Sequence, residues 1–444
     1  MGVIIRHTKS VCPVCRREIK ASILDEGDSI VFEKTCLEHG KFNVLLSDNP
    51  GYYKDISTAY FTLMPQNLPL KIMELTLTDK CDLNCPICSV ICSVGKSAQP
   101  MTVDDVSKVI GDNPGMEFIL WGMEPTENSR IKEIIKLFKL KKKNAYLFTN
   151  GLKFDNLNFI KSLTESGLSH VYLQFDGFNK EAYGVLRDAD LLENKLSGLE
   201  NLKKLKVPTT LNVTLAKNVN EEQIAPIIDY AIKNDFVRQV GFLPLIKIGK
   251  ADFYREEIIP KLHEFLTIIE RETGGRIKVD NIRILQKLMY AVYRLTGFRR
   301  CFWFTLLILV RNKKRDGYST LDELVNFNKV DRVIDLYIDD VKFRRGMAKD
   351  IKLFIRLAKI FINRKTAFLI INLLQFILKE RSLEAARRNK DILFITCTDF
   401  CDFYKMDLDM ADNYCEEILA VKTREGKIIY KPTYKMVMEK THVG

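Results

Sequence analysis

The chain has 11 cysteines against 5 histidines, and the cysteines are clustered. The most informative cluster reads Cys81-Asp-Leu-Asn-Cys85-Pro-Ile-Cys88. Three thiolates on one loop at this spacing wrap three corners of a [4Fe–4S] cube, whereas such clusters normally take four cysteines. One iron is thereby left open to a substrate or cofactor. Cys92 is an alternative fourth ligand; otherwise it is a small buried residue.

A second cluster pairs Cys12-Pro-Val-Cys15 with Cys36-Leu-Glu-His39. Two knuckles separated by a strand-like run, Ile30–Thr35, match the ligand spacing of a tetrahedral zinc site, with rubredoxin-like iron as the other choice. A module of this size has too small a core to hold alone, so a metal staple is physically reasonable. The third cluster is Cys397, Cys401 and Cys415 near the C-terminus, which with the isolated Cys301 makes a complete set for an auxiliary [4Fe–4S] cluster. A zinc site, or inert thiols, are the competing readings. A chain this long with grouped thiols does not read as a disulfide framework.

The elements that must position these thiols follow from periodicity. Strands are expected at Lys71–Thr78, Met116–Trp121, Ala145–Thr149, His170–Asp176, Pro208–Leu215 and Val237–Pro244, with amphipathic helices between, such as Ser129–Leu140 and Glu221–Lys233. Strands alternating with helices mean an α/β fold with a parallel sheet and right-handed crossovers. Three domains are expected: a metal-knuckle module over 1–62, a six-unit partial barrel over 63–255, and a mainly helical cluster-binding and lipid-binding region over 256–444.

The chain has 444 residues and a formal net charge of +12, pointing to an anionic partner. Residues 341–390 carry 14 Lys/Arg and 3 Asp/Glu. Arg345, Lys349, Lys352, Arg356, Lys359 and Asn363 recur at helical spacing, beside wide apolar faces and the aliphatic run Ala367–Leu378. A basic stripe with apolar faces describes a helix lying in a membrane interface, and equally a core-packed helix with a solvated basic face. No run, Cys301–Val310 and Ala367–Leu378 included, is long enough to span a bilayer, and no signal peptide is read at the N-terminus.

The three-cysteine loop resembles that of the radical S-adenosylmethionine (SAM) superfamily. The turn Gly122-Met123-Glu124-Pro125 after the second strand is similar to the superfamily's Gly-Gly-Glu-Pro turn, with Met123 in place of the second glycine. The resemblance implies a partial (β/α)6 radical SAM barrel with its chemistry at the C-terminal strand ends, where Glu124, Asn150, Asp176 and Thr214 fall. It implies that Gly122, Met123 and Glu124 hold the methionine amino group. Gln174 and Asp176 are candidate ribose contacts and Asn212 a candidate carboxylate contact. Taken whole, the chain resembles archaeal tetraether synthase-like enzymes, which join tail carbons of membrane lipids. That resemblance implies hydrogen abstraction from unactivated alkyl carbons and carbon–carbon coupling. It implies a membrane-lipid substrate, an anionic membrane surface, a small redox protein as electron donor, and a cytoplasmic location at the inner membrane face. Alternatives are a radical SAM lipid methylase or desaturase, a radical SAM RNA-modifying enzyme, and a non-catalytic metal scaffold. Against RNA, the basic residues alternate with aliphatics rather than base-stacking aromatics.

Overall fold

The structure is a computed structural model describing residues 2–64, 72–90, 99–253, 262–297, 304–312, 317–343, 346–362, 366, 389–398, 402–414, 417–432 and 435. The N-terminal module is an antiparallel sheet of β1 (Val3–Val11), β2 (Glu18–Asp25), β3 (Ile30–Cys36) and β4 (Gly40–Ser47), paired in chain order. Both metal knuckles sit at its tight turns, Cys12 and Cys15 between β1 and β2, Cys36 at the end of β3 and His39 just before β4. Helix α1 (Pro50–Leu63) follows, its N-terminus capped by the Asn49 side chain accepting from Tyr52 N at 2.9 Å.

Among the described residues, the second sheet has 11 strands. Its parallel part contains β5 (Ile72–Thr76), β6 (Glu117–Trp121), β7 (Ala145–Thr149), β8 (Leu168–Gln174), β9 (Thr209–Leu215) and β10 (Val237–Pro244), each beside the next. These are the six expected strands. The crossover helices are α2 (Val103–Asp112), α3 (Ile131–Leu140), α4 (Leu157–Ser166), α5 (Lys180–Arg187), α6 (Leu192–Lys204) and α7 (Ile224–Lys233). A reciprocal Thr102–Asp105 capping box starts α2.

The C-terminal region supplies helices α8 (Leu262–Glu272), α9 (Val279–Thr296), α10 (Leu321–Leu324), α11 (Phe327–Phe343), α12 (Met347–Phe361) and α13 (Leu408–Tyr414). It also extends the sheet at both edges. Strand β13 (Ile392–Thr398) lies parallel to β10, and β14 (Glu417–Lys422) lies parallel to β5. Antiparallel strands β11 (Phe304–Asn312), β12 (Gly317–Thr320) and β15 (Ile428–Pro432) finish the edges. The sheet therefore runs across the expected boundary at 255.

Alternate residues separate the two faces of the sheet. Leu75, Leu120, Leu147, Val171, Leu211, Val240 and Ile395 join the helices in the main apolar core. The opposite face carries Trp121, Phe148, Tyr172, Gln174, Thr210, Asn212 and Gln239. Phe148 and Tyr172 stack there at 5.9 Å and 13°. Among the described residues, no helix is long and apolar enough to cross a membrane.

Candidate functional site

The knuckle ligands converge. The ligand atoms of Cys12, Cys15, Cys36 and His39 all lie within 4.8 Å of one another. Cys15 Sγ is 3.8 Å from Cys36 Sγ, and His39 Nδ1 is 3.5 Å from Cys36 Sγ and 3.7 Å from Cys12 Sγ. A tetrahedron with ordinary Zn–S and Zn–N bonds requires about 3.8 Å between sulfurs and about 3.6 Å from sulfur to nitrogen. The arrangement fits zinc. The His39 ring, with the backbone N–H groups of Glu38 and His39, holds the Cys36 thiol down to about 6, so a thiolate is ready for a metal at neutral pH.

This module is docked on the C-terminal region. Lys34, fully buried, extends its ammonium to Ser10 Oγ, Val11 O and Phe403 O at 3.2, 3.1 and 2.7 Å. Arg6 pairs with Asp407, Thr8 Oγ1 donates to Asp407 Oδ1 at 2.7 Å, and the Arg16 guanidinium lies 3.5 Å from the Phe403 ring centroid. Val11 also packs with Ile248, Phe403, Met406 and Leu408. Two residues beyond Ile248, Lys250 N donates to Cys88 O at 3.1 Å, and a Cβ on Gly249 would lie 2.4 Å from that carbonyl. The two metal-ligating regions are thus joined through one short segment.

The Cys81–Cys88 loop leaves the C-terminal end of β5. None of its three cysteines is in a disulfide, and all are partly exposed. Cys81 Sγ accepts from Leu83 N at 3.4 Å and lies 3.8 Å from Asn150 Nδ2, while burial pushes its thiol up to about 12. A thiol held neutral in this way ionises on binding iron, as a cluster ligand must. Asn150 also donates to Asp82 Oδ1 at 2.6 Å, so the end of β7 braces the loop.

The turn after β6 is built for close approach. Gly122 has φ +135°, and a Cβ there would meet Thr78 O at 2.9 Å. Met123 needs no such freedom; its N donates to Thr78 O at 3.3 Å and its side chain joins Trp121, Leu419 and Val421. Glu124 is held by a dense set of donors. Its Oε1 accepts from Thr126 N, Thr126 Oγ1 and Thr149 Oγ1 at 3.1, 2.6 and 2.7 Å, and its Oε2 accepts from Asn150 N at 2.7 Å. Burial raises its pKa while these donors pull it down. The carboxylate ties β6 to the end of β7.

Gln174, Asp176 and Thr214 come together, joined by two cations. Asp176, fully buried, accepts from Arg187 Nε at 2.7 Å, Arg187 Nη2 at 3.0 Å, Gln174 Nε2 at 2.6 Å and Thr214 N at 3.1 Å. Arg187 Nη2 also donates to Thr214 Oγ1 at 2.9 Å. Burial alone would lower the Arg187 pKa, but the Asp176 charge outweighs it and raises it. Lys195 Nζ donates to Gln174 Oε1 at 2.7 Å, Gln174 O at 3.1 Å and Asn150 O, and burial lowers its pKa to about 8. Sequence reading missed both cations. The signal for Lys195 was its place in the apolar stripe Leu191, Leu199, Leu202 of an amphipathic helix.

Asn212 is buried, and its Nδ2 has no hydrogen-bond partner among the described residues. Gly241 on β10 makes room for it, since a Cβ there would lie 2.9 Å from Asn212 Oδ1. An orphan amide donor on the face of the sheet away from the helices suits a carboxylate. With the three loop thiols and the Gly122 cradle, it fits the [4Fe–4S] cluster and SAM expected here.

The auxiliary set is different. Cys301, Cys401 and Cys415, like Cys92, lie outside the described residues. Cys397 is packed in the main apolar core near Leu393 and Ile395, where burial pushes its thiol up.

Residues 4–48 match the family described as the HMPTM N-terminal zinc ribbon domain, and residues 75–231 match the radical SAM superfamily. A 7,8-dihydro-6-hydroxymethylpterin dimethyltransferase of Methanocaldococcus jannaschii is 29% identical, aligned over 97% of this chain and 93% of that protein. A probable GTP 3′,8-cyclase of Pyrococcus abyssi is 26% identical over 39% of this chain and 56% of its own length. Among solved structures, Streptococcus suis SuiB bound to the precursor peptide SuiA covers 52% of this chain and 50% of its own, with a TM-score of 0.40 and 15% identity. The chain therefore carries a zinc ribbon and a radical SAM domain. The relative aligned along almost its whole length bears a pterin methyltransferase name, where a tetraether synthase-like lipid enzyme was expected.

Proposed function

We propose that this radical SAM enzyme is a methyltransferase acting on a small heterocyclic substrate of the pterin class. The alignment over 97% of the chain, ribbon included, with a protein of that named activity carries the reading. When bound, the cluster and SAM supply a radical able to take hydrogen from a carbon that acid–base chemistry cannot activate. Cys81, Cys85 and Cys88 would hold the cluster. The Gly122–Glu124 backbone, the Gln174–Asp176–Arg187 group and Asn212 would hold SAM. The inner face of the sheet suits a flat, polar ring. The stacked Phe148–Tyr172 pair offers π-faces, and His170 Nε2 lies 2.8 Å from Thr210 Oγ1 in the same wall.

A second reading, alkyl-chain coupling or methylation of a membrane lipid, draws on a separate observation. Helix α12 exposes Ile351 and Ile355 beside Lys352 and Arg356. Both readings are tested by one experiment. Reconstituted enzyme, SAM and reductant are incubated anaerobically with a reduced hydroxymethylpterin or, in parallel, with a lipid extract, and the products are weighed by mass spectrometry. Methylated pterin supports the first reading. Altered lipid with untouched pterin overturns it in favour of the second.

A further inference from the structure

Helix α12 packs through one narrow face. Leu353 and Leu357 are buried, and Asp350 reaches inward to Arg294 and Tyr337. Lys349, expected in the basic stripe, is instead paired with Asp340 at 3.1 Å. Arg345 and Asn363 lie outside the described residues. What the helix and its C-cap residue Ile362 present outward is unusual. Met347, Ile351, Ile355 and Ile362 are 79%, 53%, 46% and 68% exposed. At about 3.6 residues per turn the first three fall along one ridge that continues toward Ile362. Lys352, Arg356 and Lys359, also exposed, form a parallel ridge immediately beside it.

We propose that α12 is a docking helix for an anionic lipid bilayer. Scattered exposed aliphatics need no explanation, but three on one ridge of a single helix, with Ile362 just beyond its end, do. The neighbouring cations decide the occupant. An apolar ridge bordered by three cations matches the boundary between acyl chains and anionic headgroups, where the aliphatics enter and the cations stay at headgroup level. A second copy of this chain would bring the same cations against themselves. The ridge lacks the aromatic side chains on which nucleic-acid bases stack. The inference rests on exposure and charge alone, and it stands under either substrate reading.

The test uses full-length, anaerobically purified protein and sedimentation with vesicles of phosphatidylcholine alone or mixed with phosphatidylglycerol, at low salt. Wild type should bind the mixed vesicles at least about tenfold more tightly than the neutral ones, because each cation near an anionic leaflet contributes about fivefold. K352E/R356E/K359E should lose that preference. I351Q/I355Q, with charge unchanged, should also bind mixed vesicles more weakly, and both variants should release 5′-deoxyadenosine from SAM as wild type does. Wild type that does not distinguish the two vesicles would overturn the proposal. So would a dimer in light scattering that I351Q/I355Q dissociates, or RNA binding that K352E/R356E/K359E removes.

Discussion

At the scale of residues, the site is organised by groups that never need to touch a substrate. Glu124 accepts four donors, and an amide in its place must turn an N–H toward at least one of them. Glu124→Gln should therefore destabilise the protein by about 2 kcal/mol, seen as a lower melting temperature, and weaken SAM binding through the displaced Gly122 turn. Unchanged melting would contradict the role assigned to the carboxylate. Lys195 gives a pH signature. Its pKa is lowered from 10.5 to about 8 on folding, so between those values the unfolded chain binds the extra proton. Stability relative to Lys195→Met should then rise as pH increases from about 8 toward 10.5, by up to ~3 kcal/mol in total. Calorimetry at several pH values measures it; a flat difference would mean that burial does not depress this lysine. The turn Gly122–Pro125 around Glu124 was legible in the sequence, but the bonds that hold its carboxylate were not. Its partners Thr149 and Asn150 arrive from the next strand, which no local pattern reveals.

At the scale of elements, the six strands β5 to β10 were legible because strands covered on the helix side read as β-rich runs ending in polar turns. Strands β13 and β14 were not. Ile392–Thr398 reads equally as a strand or as the approach to a cysteine cluster, and its partner β10 is far away in sequence. The ribbon was legible from its knuckles, whereas its docking was not, because Lys34 looks like a surface lysine of β3. Docking makes the metal's influence reach beyond the module. A sheet this small depends on its metal. Chelation, or Cys15→Ser, should expose both the ribbon and residues 402–409 to limited proteolysis while 75–231 stays resistant. Wild-type protection of 402–409 after metal loss would show that the docking does not depend on the metal.

At the scale of the whole molecule, the ribbon, the three-cysteine loop and the 402–409 segment are joined through Ile248–Lys250, and the basic excess is concentrated in residues 341–390. Those residues carry 14 of the 69 Lys/Arg and only 3 of the 57 Asp/Glu, so screening by salt should act mainly on surface association and little on SAM cleavage. The central claim is that one metal centre staples the fold and another, held by Cys81, Cys85 and Cys88, does the chemistry. Anaerobic reconstitution of wild type and of Cys81→Ala, Cys85→Ala and Cys88→Ala, with zinc and iron counted and 5′-deoxyadenosine released from SAM measured under reduction, tests it most directly. The account predicts full zinc in all four proteins and 5′-deoxyadenosine from wild type alone; undiminished release from any of the three variants would contradict it.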